Sequence, residues 1–183
     1  MVDTIVYGAI MKNDQLLKLN FEGWPLPDTY LVELGRVAAL WATVESLLNV
    51  CIGKLAGFND LNDPKPFILV THSSFPQRLD MLAALCEQLA KEFPNLKGCP
   101  AVVQQLRQAQ KLRNDYMHYG MVLNEESGQI EMAKGTARGT VKVGVGMVSI
   151  ADIRRATVAI HEANLALYKL VLGGSIAPVW ERR

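Results

Sequence analysis

Within residues 111–120, KLRNDYMHYG, three side chains carry chemistry: Arg113, Asn114 and His118. A guanidinium is a permanent cation whose planar fork fits a phosphate. An imidazole changes protonation near neutral pH and can pass a proton. A carboxamide can hold either one by a hydrogen bond. The set is either the polar tip of an ordinary core helix or a site that handles a phosphate. On a helix turning about 100° per residue, Asn114 and His118 share a face, while Arg113 and His118 diverge by about 140°. Arginine is long and the helical pattern ends at Gly120, so the three can still converge on one anion.

The same projection puts Gln104, Arg107, Lys111, Asn114 and His118 on a polar stripe opposite Val102, Leu106, Ala109, Leu112 and Tyr116. Arg113 falls off that stripe, on the margin of the apolar face between Val102 and Leu106. Arginine is seldom buried without a partner. Glu45, in LWATVESLLN, has the matching oddity on the long helix upstream, projecting between Trp41 and Ile52. The expectation is that Glu45 orients Arg113 across the core. The plain alternative is a structural ion pair with no part in chemistry.

Other polar residues carry weaker signals. Arg154 and Arg155 stand upstream of His161 at comparable spacing, but neither is followed by Asn, Asp or His, and both sit in mid-helix. His72 reads as the entry to a helix, Arg78 and Asp80 as surface residues, and Trp41 as core. Lys134, Arg138 and Lys142 read as a solvated hairpin. Gly144 and Gly146 form no nucleotide-binding loop, because no Lys-Ser/Thr follows and no helix opens there. Cys51, Cys86 and Cys99 make no CxxC pair, which points to buried thiols in a reduced, cytoplasmic setting and away from a zinc site.

The elements that must position these residues follow from periodicity and punctuation. Residues 1–27 suggest a small hairpin or a ragged helix around MKND, closed by GWPLPD. Asp28 or Thr29 can cap a long helix to about Phe58. GFNDLNDPKP reads as a loop, and Ser73 or Ser74 as the cap of a second helix with Pro76 in its first turn. A third helix runs from Pro100 to Gly120. Alternating, Gly- and Val-rich sequence then predicts two or three short strands over 120–148. SIAD resembles a capping box and opens a last helix to about Leu172, leaving 173–183 as a loose tail. The expected fold is mainly all-α: an up-and-down bundle of four main helices over 28–172, with a small β insertion between the third and fourth.

Bulk composition bounds the partners. The 183 residues are 50% hydrophobic and 20% charged, in keeping with one globular domain. With 19 basic and 18 acidic residues the net charge is +1, so a strongly basic coat for nucleic acid is not indicated. MVDTIVYGAIMKNDQ lacks the pattern of a signal peptide, and no apolar run reaches the roughly 18 residues of a membrane span.

RNDYMH, within that helical context, resembles the motif of the HEPN superfamily: an Arg, a polar neighbour, and a His after four to six intervening residues. A long first helix with an embedded Glu is also frequent there. The resemblance in architecture spans about 28–172; the motif itself covers six residues. It implies a metal-independent endoribonuclease needing no cofactor, in which the RNA 2′-hydroxyl attacks the adjacent phosphate to leave a 2′,3′-cyclic phosphate and a 5′-hydroxyl. His118 would be the general acid or base, Arg113 the stabiliser of the phosphorane, and Asn114 a support, with Glu45 behind them. It further implies a homodimer that brings two copies of His118 to one cleft, with Arg107 and Lys111 along the RNA backbone. A role as a toxin or in phage defence, with a cognate antitoxin, belongs to the same expectation. Two other readings stay open: a catalytically idle module that binds nucleotide, RNA or a protein, and a purely structural bundle.

Overall fold

The computed structural model describes residues 17–60, 63–136, 140 and 142–182. The hairpin expected around MKND therefore lies mostly outside the described residues, and 17–27 form turns and irregular chain. The fold is mainly helical with one small antiparallel sheet. Its helices are α1 (Asp28–Leu55), α2 (Lys65–Val70), α3 (Phe75–Leu89), α4 (Cys99–Met117) and α5 (Ile150–Leu172). The strands are β1 (Met121–Asn124), β2 (Gln129–Thr136) and β3 (Lys142–Met147). Among the described residues no helix is long and apolar enough to cross a membrane.

Helix α1 is the spine. Val37, Trp41, Val44, Leu48, Cys51 and Ile52 recur at spacings of one helical turn and are buried against α5 and α3. No side chain caps its start, because Pro27 occupies the position where Asp28 or Thr29 was expected to cap. It stops at Leu55, short of Phe58. Gly57, at φ 93°, turns the chain left-handed so that Phe58 N–H reaches back to the Gly53 carbonyl at 3.0 Å. Helix α2 begins at the last two residues of GFNDLNDPKP, the stretch that reads as a loop, and continues through residues to which the sequence assigns no element. KPFILV forms one short helix with Phe67, Ile68 and Leu69 exposed, and it lies so close to α1 that a Cβ on Gly53 would meet Pro66 Cβ at 2.7 Å.

Helices α3 and α5 begin where the capping signals place them. Ser74 and Gln77 exchange hydrogen bonds in a capping box, and Ser149 and Asp152 do the same. Helix α4 packs on α5 and α3, with Val102, Val103, Leu106 and Ala109 inward. The sheet, in the order β1-β2-β3, turns Ile130 and Met132 inward with Val148 and leaves Val143, Val145 and Met147 exposed. The tail, read as loose, has an anchor: Val179 N–H donates to His161 Nε2 at 3.1 Å, and Trp180 meets the same ring edge-on.

Candidate functional site

The site is the last turn of α4. The helix ends because the chain must leave as β1: Gly120 accepts a hydrogen bond from Ala133 N–H at 3.2 Å, which ties the exit to β2. Lys134 reaches back to Asp115 at 3.2 Å and lies over the Tyr119 ring. The sheet thus grips the turn that carries His118 from the side. His118 itself occupies the helix C-cap, with its N–H still bonded to the Asn114 carbonyl, and its side chain is exposed.

Arg113, Asn114 and His118 do come together. Arg113 Nη1 donates to Asn114 Oδ1 at 3.1 Å and meets His118 Nε2 at 2.8 Å. The long guanidinium stem closes the angular gap left by the helix projection. A guanidinium has no acceptor, so His118 Nε2 accepts and the ring proton of this neutral imidazole sits on Nδ1. Arg113 Nε is buried without a hydrogen-bond partner, and Nη2 makes no hydrogen bond among the described residues. One edge of the guanidinium therefore faces protein, and N–H groups on the other remain for an anion.

The expected pairing of Glu45 with Arg113 is not what the structure shows. Glu45 Oε1 accepts from Arg78 Nη2 at 2.9 Å, and Arg78 Nη1 donates to Asn49 Oδ1 at 2.9 Å. The reason is register. Trp41, Glu45 and Asn49 are spaced by four along one face of α1, and that face meets the first turns of α3, which deliver Arg78. Arg78, read from sequence as a surface residue, is only 11% exposed and lies over the Phe75 ring. Arg113 takes the turn above: its guanidinium carbon stands 5.9 Å from the centroid of Trp41, which packs on Phe75 at 4.6 Å.

Arg107 and Lys111, expected along the RNA backbone, are exposed on the polar face of α4. Arg107 is engaged by Asp80 of α3 at 3.0 Å, with both side chains largely in solvent, a pair worth about 0–1 kcal/mol. The second Arg–His spacing in the chain has a structural explanation. Arg154 binds buried Glu33 at 2.8 Å, and Arg155 binds Asp152. Burial pushes the Glu33 carboxyl up, but hydrogen bonds from Arg154 and Arg36 outweigh it and hold the group below its usual range. His161 is buried as the anchor of the tail, and burial, aided by Arg182, lowers its pKa.

The three thiols are buried, and burial pushes Cys51 up to about 12. Among the described residues no group of three or more His, Cys, Asp and Glu side chains is arranged to hold a metal ion. Sequence reasoning missed the pairing of Arg78 with Glu45 and Asn49 and the contact of Trp41 with Arg113. The available signal was the spacing by four of Trp41, Glu45 and Asn49. In comparison with known proteins, no family model, no curated protein and no solved structure matches the chain.

Proposed function

We propose that the chain is a metal-independent endoribonuclease of HEPN type, its four long helices packed as an up-and-down bundle. The observation that carries this reading is the contact of Arg113 Nη1 with both Asn114 Oδ1 and His118 Nε2 on an exposed helix end. A cation with free N–H groups lies beside a titratable ring, which is what phosphoryl transfer to an internal hydroxyl needs.

The 2′-oxygen attacks phosphorus, the bond from phosphorus to the 5′-oxygen breaks, and the 2′-hydroxyl proton and the leaving oxygen each need a partner. A neutral ring takes the 2′-hydroxyl proton, and the leaving oxygen takes its proton from a second, protonated imidazole. An arriving phosphate competes for Arg113 Nη1 and frees Nε2 as a base. One ring cannot serve both ends of the same step, so the active form is a homodimer in which a second copy supplies its own His118. Lys111 steers the backbone, and Asn114 keeps Arg113 directed outward. A cytoplasmic toxin or phage-defence role, held in check by an antitoxin, fits such an enzyme.

The test is labelled RNA incubated with the protein in EDTA, beside His118→Ala and Arg113→Ala. Wild type should leave cyclic-phosphate ends, and each variant should lose about 10²–10⁴ in rate. No cleavage of any RNA by wild type would remove the enzymatic reading. The engagement of Arg107 by Asp80 favours a second reading, because it leaves less free positive charge for a long strand. In that reading the same turn is a non-catalytic module for a nucleotide, RNA or protein partner. Saturable nucleotide binding without turnover would support it.

A further inference from the structure

Arg113 raises a question that the proposed reaction leaves open. It is half-buried beside an apolar core, yet among the described residues it has no carboxylate partner. Its Nε is enclosed without a hydrogen bond, so apolar surface holds that edge. The aromatic ring beside the guanidinium is Trp41, which is almost fully buried and whose centroid lies 5.9 Å from the guanidinium carbon. Trp41 packs at 48° on Phe75, whose ring has Arg78 over it at 5.7 Å. Arg78 is tied in turn to Glu45 and Asn49, one and two turns beyond Trp41 on α1. An aromatic pair is therefore set between two guanidiniums. One is fixed by a carboxylate; the other reaches His118.

We infer that Trp41 is a positioning residue: its indole face holds Arg113 in place so that Nη1 and Nη2 stay turned to His118 and to an incoming phosphate, with Phe75 and Arg78 bracing the indole from behind. The chemistry favours an indole over a carboxylate at this place. A carboxylate would fix the guanidinium by occupying its N–H groups and cancelling its charge. An aromatic face attracts the cation through its quadrupole and leaves both the charge and the N–H fork available. Glu45 could have done the former; with its carboxylate committed to Arg78, it does not neutralise Arg113. The inference deepens the proposed ribonuclease site and rests on that reading for its purpose, but its geometry is tested without any RNA.

The His118 tautomer reports where Arg113 is. At alkaline pH, where imidazoles are neutral, ring ¹⁵N shifts and two-bond couplings are recorded for wild type, Trp41→Phe and Trp41→Leu. Wild type should hold His118 with its proton on Nδ1. Trp41→Phe keeps a ring face and should keep that tautomer. Trp41→Leu should transfer a large share of the proton to Nε2, and it should weaken inorganic phosphate binding at His118 by about 2- to 30-fold. The His161 resonances, from a buried ring on another helix, show in the same spectra whether each variant is folded. If Trp41→Leu does not fold, Arg78→Met loosens the brace from outside the core and should shift the tautomer in the same direction.

A wild-type ring protonated on Nε2 overturns the inference. So does a folded Trp41→Leu, or failing that a folded Arg78→Met, that leaves the tautomer unchanged. The two claims separate cleanly: an Nδ1-protonated ring that responds to Trp41 in a protein without cleavage sinks the ribonuclease reading alone. Cleavage that persists with an unresponsive ring sinks the positioning alone.

Discussion

Arg78→Met tests the most unexpected contact in the structure. The substitution removes two hydrogen bonds of 2.9 Å, to Glu45 and Asn49, and the guanidinium over Phe75. The losses are unequal. Asn49 is buried, so its Oδ1 is left without a donor at about 1–3 kcal/mol. Glu45 is 39% exposed and can rehydrate, which holds the ion pair itself to about 1 kcal/mol or less. The contact with Phe75 adds about 0.5–1 kcal/mol. Methionine replaces most of the apolar stem, so the net cost is about 2–3 kcal/mol. For a chain of this size that is a fall in Tm of about 5–10 °C, read by thermal or urea unfolding. A double-mutant cycle sharpens the test. Arg78→Met and Glu45→Gln should couple by about 0.5–1 kcal/mol, while Glu45→Gln and Arg113→Met should add to within about 0.5 kcal/mol. A stability within 0.5 kcal/mol of wild type for Arg78→Met, roughly the scale of an ordinary surface change, would refute the reasoning. So would a cycle that couples Glu45 to Arg113 instead.

Three further outcomes are expected. The His161 pKa is lowered from the ordinary 6.5 by burial and Arg182, with Glu162 opposing, so its neutral form is the folded form. Stability that depends on it is intact above about pH 6.5 and is lost as pH falls through the lowered folded value; melting curves over pH 8 to 5 should show this slope, and His161→Gln should flatten it. Gly53→Ala places a methyl 2.7 Å from Pro66 Cβ and should cost about 1–3 kcal/mol by urea unfolding, through displacement of α2. Ser149→Ala removes the capping box of α5 and should cost about 1 kcal/mol, with helix content otherwise preserved in circular dichroism.

What was legible in the sequence was whatever is decided within a few residues. Ser74 with Gln77 and Ser149 with Asp152 announce helix starts because a cap is a local hydrogen-bonded unit. The alternation after Gly120 announces strands for the same reason. Helix α2 was not legible, since KPFILV is too short for a period and three of its apolar residues face outward. The choice of partner for Glu45 was less legible still. Arg78 and Arg113 are both cations directed at one face of α1, and only the register of α3 against α1 decides between them. His161 illustrates the converse: its spacing from Arg154 and Arg155 imitates the motif, while each of the three has its own structural bond.

The placement of the indoles gives the protein a built-in optical probe. Of its three tryptophans, Trp24 and Trp180 are 52% and 48% exposed, whereas Trp41 is 5% exposed. Iodide or acrylamide will therefore darken the two outer rings first, leaving a blue-shifted emission from the one that lies beneath Arg113. An anion that pairs with this guanidinium changes the net charge next to the emitter. Occupancy of the helix end can then be followed by light, in the unmodified protein, without a label.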